Sequence, residues 1–333
     1  MTGRGDGRRV RALVCRSLTP DLSGLALEEL PLPDLAPGHV EVVVRACALN
    51  FPDVLMTQGR YQFRPPLPFV PGIEAVGEVV AVGAGVLGRA PGERVLIALP
   101  CGGLAERVVV PAAALRPAPA RLDDVKAAAY PVASLTAYVS LVRRGDLQRG
   151  EVLLVHGAAG GVGLAAVELG KLLGATVIAT ASTAAKREVV RARGADHVLA
   201  PSGFREGVKE LTGGRGADVV YDPVGGDVFD ESTRCIAWHG RLLVVGFASG
   251  RIPTIAANLS LIKGFSVIGV RAGEDGRRDP VQGRENVAQI DRWAQEGKVD
   301  PYVSATFPLA QSLAALRMLH ERAAIGKVVV TMA

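Results

Sequence analysis

The first third of the chain carries the hydrophobic pattern of β-strands separated by tight turns. Residues 40–46 and 76–82 are apolar, β-branched runs, and glycine and proline bound them in the stretches APGHVEVVVRA and VPGIEAVGEVVAVGAGV. Runs of this type and length are typical of strands. Because they are apolar almost throughout instead of alternating, they predict strands covered on both faces or a barrel-like sheet.

From about Asp123 onwards, strand-like and helix-like patterns alternate. Helices are predicted at 164–173 and at 183–193, the second closed by Gly194, and strands at 152–155, 175–180, 197–199, 218–221, 241–245 and 266–270. This alternation predicts βαβ units around a parallel sheet. Six strands with helices between them indicate a doubly wound α/β domain of the Rossmann type.

Length and composition extend this picture to two domains. A chain of 333 residues exceeds the usual size of one domain, and its hydrophobic fraction of 49% is typical of soluble globular proteins. No apolar run reaches the roughly 18 to 20 residues that span a bilayer. The basic start, MTGRGDGRRVRA, lacks the apolar core of a secretory signal. We therefore expect a cytoplasmic protein with a frayed N-terminal extension.

Charge and cysteine content exclude several other classes. The net charge of +5 comes from scattered arginines, so we expect no nucleic-acid partner. No CxxC pair or Cys/His cluster is present, and neither a disulfide framework nor a structural zinc site is indicated for Cys15, Cys47, Cys101 and Cys235. Structural or exposed positions are expected for the dispersed His39, His156, His197, His239 and His320.

The stretch VHGAAGGVG, residues 155–163, joins a predicted strand to a predicted helix. Ala158, Gly160 and Gly163 form A-x-G-x-x-G, the dinucleotide-binding pattern with alanine in place of its first glycine. The first small residue permits the turn, Gly160 lets a pyrophosphate approach the backbone, and Gly163 permits close helix–strand contact. Free N–H groups at the helix start bind the anion. Glycine-rich turns also occur without a ligand, but the strand–turn–helix context favours a dinucleotide.

The end of the second predicted strand of this domain indicates which dinucleotide. NAD sites place Asp or Glu about twenty residues after the glycines, whereas Ala181, Ser182 and Thr183 occupy that place here. Ser182 and Thr183 are hydrogen-bond donors, and Lys186 offers a positive charge to a 2′-phosphate. The pattern therefore favours NADPH over NADH. In the alternative interpretation, Ser182 caps the helix and Lys186 is a solvated surface residue.

Three stretches in this order resemble one known family. They are ALNFPDVLMTQGRYQFRPPLPFVPGIEAVGEVVAVG, VHGAAGGVGLAAVELGKLLGATVIAT and GRLLVVGFASG, and the chain after its first ten residues is similar to the zinc-independent quinone oxidoreductase branch of the medium-chain dehydrogenase/reductase superfamily. The resemblance implies a GroES-like, mainly-β catalytic domain formed by residues 1–126 and 271–333. It implies a Rossmann domain with a parallel six-stranded sheet at 127–270, and a cofactor in the cleft between the domains.

The same resemblance argues against a metal. Asn50 and Ile73 stand where zinc-dependent alcohol dehydrogenases carry a cysteine and a histidine ligand, and the third ligand would fall near Val132. None of these side chains ligates zinc, and the cysteine-rich lobe that holds a second zinc is missing. Hydride delivery to an electrophilic quinone or activated alkene needs no Lewis acid, so we expect no metal.

The resemblance also implies individual roles. Asn50 and Thr136 match positions near the nicotinamide and its ribose, Asp222 and Asn258 match positions lining the cofactor cleft, the loop beside the nicotinamide contains Phe247 and Ala248, and the pyrophosphate turn contains Ala159, Gly160, Gly161 and Val162. Local structural roles remain as alternatives: a turn residue for Asn50, a helix position for Thr136 and an Asx-turn for Asp222. Pro201 departs from the family, whose members often place there a tyrosine that covers the 2′-phosphate.

For the chemistry we expect Asn50, Tyr61 and Asp53 to act at the reacting end. Tyr61 is a candidate to hydrogen-bond the acceptor oxygen, with packing as its alternative role, and Asp53 a candidate to orient nearby polar groups. The first functional hypothesis is an NADPH-dependent quinone reductase, and the second is an enoyl-thioester or alkenal reductase. A third is a nucleotide-binding protein that acts by interaction without turnover.

The last predicted strand of the Rossmann domain indicates a homodimer. Residues 266–270, SVIGV, are apolar, uncharged and free of proline, and they lie at the expected edge of the sheet. An open edge of this kind is a liability in water, and pairing with a two-fold mate removes it. In the alternative, the loop 271–278 folds over the edge.

Overall fold

The computed structural model describes residues 7–332 and divides the chain into two compact units. The first unit comprises Met1–Pro131 with Asp300–Ala333, and the second comprises Val132–Val299. The first six residues of the predicted N-terminal extension lie outside the described residues, and a strand already begins at Arg9. No helix in the described part of the chain is both long and apolar enough to cross a membrane.

The helices and strands alternate irregularly in the first unit and more regularly in the second. In chain order they are β1 (Arg9–Cys15), β2 (Leu25–Pro31), β3 (His39–Ala48), α1 (Phe51–Thr57), β4 (Glu74–Val82), β5 (Arg94–Ala98), β6 (Arg107–Pro111), β7 (Leu115–Pro117), α2 (Asp124–Ala129), α3 (Pro131–Tyr138), β8 (Val152–Val155), α4 (Gly161–Leu173), β9 (Thr176–Thr180), α5 (Ala184–Ala192), β10 (His197–Leu199), α6 (Phe204–Leu211), β11 (Ala217–Asp222), α7 (Asp227–Ser232), β12 (Ile236–Val244), α8 (Ala257–Lys263), β13 (Ser266–Gly269), α9 (Ala272–Arg278), α10 (Pro280–Gln295), β14 (Val303–Pro308), α11 (Ser312–His320) and β15 (Lys327–Thr331).

The first unit is built on a seven-stranded sheet. Its strands run in the order β14-β15-β3-β4-β5-β7, β6 also pairs with β3, and β1 and β2 form a separate antiparallel pair. The predicted runs 40–46 and 76–82 lie within β3 and β4, which pair antiparallel. Most residues of β3 are buried, so the strand is covered on both faces as its continuous apolarity predicts. Val40, Val42 and Cys47 contribute to the core of this unit.

The second unit confirms the doubly wound α/β prediction. All strand pairs are parallel and follow the order β10-β9-β8-β11-β12-β13. Counted from β8, this order is 3-2-1-4-5-6, the Rossmann arrangement. All four residues of the central strand β8 are buried, which explains its uninterrupted Val-Leu-Leu-Val sequence.

The edge of this sheet lies where the sequence predicts it. β13 is the last strand in the order, and it remains largely exposed in the single chain. Residues 272–278 form the helix α9 and not the predicted loop, and they leave the strand exposed.

The unit boundaries differ from those that the sequence suggests at 126/127 and 270/271. Residues 271–299 group with the second unit. They contain α9 and α10, and α10 makes up most of this segment. Trp293 of α10 packs edge-on against Tyr138 with ring centroids 5.5 Å apart, and the guanidinium of Arg143 donates to the amide oxygen of Asn286 at 2.7 Å. These contacts join α10 to the end of α3 and to the π-helix Val139–Arg144 that follows it.

Candidate active site

The turn between β8 and α4 depends on a glycine that the sequence interpretation missed. Gly157 has φ +54°, a left-handed conformation that favours glycine, whereas Ala158 is fully buried and its N–H donates to the carbonyl of Thr180 at 3.0 Å. The positive φ of the turn is therefore at Gly157, and Ala158 is the small, buried residue that follows it. The glycine one residue earlier in HGAAGGVG was the available signal.

Gly160 and Gly163 differ in what surrounds them. A Cβ on Gly163 would lie 2.7 Å from the Cα of Ala158 and closer still to the carbonyl oxygen of Gly157, so α4 approaches the turn too closely for any side chain. A Cβ on Gly160 would meet only the Gly157 oxygen, at 3.4 Å. The backbone at Gly160 therefore faces open space.

The start of α4 could hold an anion. Gly160 is its N-cap and no side chain caps it in the described structure, so the N–H groups of Gly161 and Val162 have no intrahelical acceptor. Unpaired N–H groups and the helix dipole attract negative charge. Ala159 is buried beside them. The turn thus fits the pyrophosphate of a dinucleotide.

At the carboxyl end of β9, Ala181 is buried, and Ser182 and Thr183 are exposed. Thr183 caps α5, since its hydroxyl accepts a hydrogen bond from the backbone N–H of Lys186 at 3.2 Å. The capping role considered for Ser182 therefore belongs to Thr183. Gly194, with φ +103°, directly follows the C-cap Arg193.

Arg187 also lies at this strand end, although the sequence interpretation did not consider it. Its Nη1 donates to the carbonyl oxygens of Ala181 at 3.2 Å and Ser182 at 2.9 Å. The signal available in the sequence was its place one turn into α5, next to Lys186.

The ends of β11 and β12 are tied to each other. Asp222 is 1% exposed, and its Oδ1 accepts hydrogen bonds from the N–H groups of Val224 at 2.8 Å and Gly225 at 2.9 Å, which is the Asx-turn considered for it. Burial raises the pKa of Asp222. The N–H of Ala248 donates to the carbonyl of Pro223 at 3.0 Å, and Phe247 is 37% exposed.

Parallel strands place these loops at one edge of the second unit. β8, β9, β11 and β12 are neighbours in the sheet, so the glycine turn, the Ser182 segment, Asp222 and Phe247 all follow carboxyl ends of strands. Asn258 is exposed in the first turn of α8, and its side chain makes no hydrogen bond to another described residue. Thr136 lies on α3, and its hydroxyl donates to the carbonyl of Val132 at 2.7 Å.

His156, at the end of β8, is a structural residue. Its Nε2 lies 2.8 Å from the hydroxyl of Ser232, which itself donates to the carbonyl of Val228, so Nε2 carries the proton. Nδ1 lies 3.0 Å from the Thr180 hydroxyl and accepts from it. Complete burial lowers the pKa of His156 to about 3, and the ring is neutral.

In the first unit, Asn50 lies in a buried polar cluster with Glu74 and Lys327. The ammonium of Lys327 donates to Asn50 Oδ1 at 2.7 Å, to Glu74 Oε1 at 2.7 Å and to the carbonyl of Leu49 at 3.0 Å. Asn50 Nδ2 donates to Glu74 Oε1 at 2.8 Å. All three side chains are nearly inaccessible, so the Asn50 amide is held in one orientation. Neither Glu74 nor Lys327 was identified from the sequence.

Asp53 orients backbone groups beside this cluster. Its Oδ2 accepts from the N–H of Asn50 at 2.8 Å and its Oδ1 from the N–H of Gly72 at 2.9 Å. The carboxyl is fully buried, and burial raises its pKa to about 7. Asp53 thus fixes the start of α1 to the segment that leads into β4.

Tyr61 and Ile73 lie at the hydrophobic core of the first unit. Both are partly buried and pack against its hydrophobic core. Within the described part of the chain, no three or more His, Cys, Asp or Glu side chains are grouped so as to hold a metal ion, and all four cysteines are free.

Comparison with known families matches both units. The model of the alcohol dehydrogenase GroES-like domain matches residues 36–120, and that of the zinc-binding dehydrogenase matches residues 161–289. The chain belongs to the medium-chain dehydrogenase/reductase superfamily and is an oxidoreductase of its quinone oxidoreductase-like group.

Individual relatives resemble the chain over nearly its whole length. The quinone oxidoreductase-like protein 2 homolog of Nematostella vectensis is 40% identical over 99% of this chain and 90% of its own. A solved probable oxidoreductase from Mycobacterium abscessus is 39% identical, with a TM-score of 0.88 over 97% of this chain and 99% of that one. A mycobacterial protein solved in complex with NADPH is 31% identical, with a TM-score of 0.88 over 96% of this chain and 99% of that one. The JamJ enoyl reductase, solved in its apo form, is 27% identical, with a TM-score of 0.86 over 98% of this chain and 100% of that one.

Proposed function

We propose that the chain is an NADPH-dependent reductase that transfers hydride to a quinone without a metal. The observation that carries this proposal is the uncapped start of α4, where the backbone at Gly160 faces open space at the carboxyl edge of a Rossmann sheet. The mycobacterial relative in complex with NADPH and the quinone oxidoreductase-like relatives support it.

In the second unit, the proposed roles follow the loops at the sheet edge. The N–H groups of Gly161 and Val162 bind the pyrophosphate, with Ala159 and Gly160 shaping the turn. Ser182, Thr183 and Lys186 receive the 2′-phosphate. Asp222, Phe247, Ala248 and Asn258 line the nicotinamide half, as does Thr136. The loop of Phe247 is held in place by its hydrogen bond to Pro223, so it presents a fixed surface to the ring.

In the first unit, Asn50 is the proposed contact to the nicotinamide and its ribose. Its Nδ2 donates to Glu74 and, at 3.4 Å, to the carbonyl of Ala48, and its Oδ1 accepts from Lys327, so a ligand would use the remaining lone pair of Oδ1. Asp53 keeps the start of α1 in place, and the Tyr61 hydroxyl bonds the acceptor oxygen. When bound, the reduced nicotinamide supplies the hydride, and the protein contributes mostly position.

A second candidate function is reduction of an activated C=C bond in an enoyl thioester or alkenal. The similarity to an enoyl reductase over nearly the full chain favours this candidate. Both reactions use the same hydride donor and differ in the atom that receives the hydride. A non-catalytic nucleotide-binding role is the least supported candidate, because the polar cluster around Asn50 is intact.

Two further properties belong to this proposal. The exposed edge strand β13 favours a homodimer in which the strand pairs with its symmetry mate. The cytoplasmic location expected from the sequence remains a prediction.

The test is NADPH oxidation by the purified chain against a panel of quinones, alkenals and enoyl-CoA esters. Turnover highest with quinones supports the proposal, and turnover confined to enoyl esters or alkenals supports the second candidate. NADPH is expected to bind more tightly than NADH, and equal affinities in a titration would contradict the cofactor assignment. Lys186→Ala should weaken NADPH binding and leave NADH binding unchanged.

A further inference from the structure

The guanidinium of Arg187 is fixed at the carboxyl end of β9. Its Nη1 donates to two successive carbonyl oxygens, those of Ala181 and Ser182, so the side chain folds back over the start of its own helix. Both hydrogens of Nη1 are used in this way. The Nε–H and the two Nη2 hydrogens are left over, and they form the edge of the guanidinium that binds a phosphate with two parallel hydrogen bonds.

Two basic residues lie near the N-terminal end of α5. Lys186 and Arg187 are the third and fourth residues of α5. The first turn of this helix contains no acidic residue. The positive end of the helix dipole repels cations and attracts anions. An anion bound at this end would therefore be attracted by the helix start as well as by the guanidinium of Arg187.

Arg187 has no carboxylate partner in the described part of the chain. None of the ion pairs among residues 7–332 includes it, whereas Arg193 at the other end of the helix pairs with Glu168. A fixed guanidinium without an acidic partner is suited to an anionic ligand.

We propose that Arg187 is the residue that selects the 2′-phosphate of the cofactor, an inference that rests on the proposed dinucleotide function. It lies at the strand end where an acidic residue would hold the ribose hydroxyls of NAD, and Pro201 offers no side chain that covers the phosphate by hydrogen bonding. Lys186 adds charge, but its ammonium is a point donor on a flexible stem. The guanidinium of Arg187 is held in place and can bind the phosphate in a bidentate manner.

Calorimetric titration with 2′,5′-ADP, NADPH and NADH tests this inference. 2′,5′-ADP carries the 2′-phosphate without the nicotinamide, so its binding does not depend on the catalytic groups. Arg187→Ala should weaken 2′,5′-ADP and NADPH by about 10- to 100-fold, the loss expected for a charge-assisted pair, and change NADH by less than about twofold. Arg187→Lys should recover only part of the lost affinity, because lysine restores the charge but not the two parallel N–H donors of the guanidinium.

Arg191→Ala is the matched control. Arg191 lies one turn further along α5 and its loss removes the same charge, yet it should leave all three affinities unchanged. Equal losses in Arg187→Ala and Arg191→Ala, or no loss in Arg187→Ala, would overturn the assignment of Arg187. If the wild-type protein binds neither 2′,5′-ADP nor NADPH, the proposed NADPH function itself fails. A wild type that binds both, with an unaffected Arg187→Ala variant, overturns this inference alone.

Discussion

The two glycines at the start of α4 give opposite predictions for the same substitution. In Gly163→Ala, the new Cβ would lie 2.7 Å from the Cα and 2.9 Å from the carbonyl carbon of Ala158. Both neighbours are backbone atoms, so the helix or the turn has to move by several tenths of an ångström. Overpacking of this kind costs about 1–3 kcal/mol, and the gain in helix propensity from alanine, about 1 kcal/mol, offsets only part of it.

In Gly160→Ala, the same methyl group meets nothing closer than the Gly157 oxygen at 3.4 Å, and φ −79° with ψ 167° suits alanine. The free energy of unfolding should therefore change by less than about 1 kcal/mol. The methyl group nevertheless occupies the open backbone face that we assign to the pyrophosphate. Binding of NADPH should weaken by at least about tenfold, the equivalent of ~1.4 kcal/mol.

Urea unfolding of both variants without cofactor, followed by calorimetric titration with NADPH, measures the two effects separately. We expect Gly163→Ala to lower the unfolding midpoint and Gly160→Ala to leave it close to that of the wild type. The account of this turn is refuted if Gly160→Ala binds NADPH as tightly as the wild type, or if it loses as much stability as Gly163→Ala.

Three further predictions concern pH, metal and assembly. The pKa of His156 is about 3 in the folded protein against an ordinary 6.5, so the unfolded state binds more protons between these values. Stability should therefore fall as pH drops below 6.5, by up to about 1.4 kcal/mol per pH unit from this residue, and urea unfolding of His156→Asn should lack that component. Because Asn50 and Ile73 are not zinc ligands, chelators should leave turnover intact, and elemental analysis should find no stoichiometric zinc; activity lost on chelation and restored by zinc would contradict this. Light scattering should give about twice the chain mass, and Ile268→Lys, which places a charge on the edge strand β13, should shift the protein toward monomer; a monomeric wild type would show that the edge needs no partner.

The architecture of both units could be predicted because local patterns determine it. Continuous apolar runs correspond to buried strands such as β8, and the alternation of strands and helices requires a parallel sheet. The grouping of α10 with the second unit could not be predicted, because it depends on contacts such as that between Tyr138 and Trp293. Nothing in the local sequence of either residue indicates this pairing.

In the candidate site, too, local features could be predicted from the sequence and contacts between distant residues could not. The glycine turn could be located in the sequence, although the residue with positive φ proved to be Gly157. The cluster that holds Asn50 could not be found, because Lys327 and Glu74 are separated by 253 positions and meet only where β15 and β4 flank β3. A lysine in an otherwise apolar strand, KVVVT, was the one sign that a buried partner exists.

The most direct test of the central claim is anaerobic reduction of a benzoquinone by NADPH with the purified protein in the presence of a chelator. The account predicts one hydroquinone formed for each NADPH consumed, and a slower reaction when the transferred hydrogen at C4 of the nicotinamide is deuterium. A protein that binds NADPH but consumes none with any quinone, or that consumes it only when zinc is added, would contradict the account.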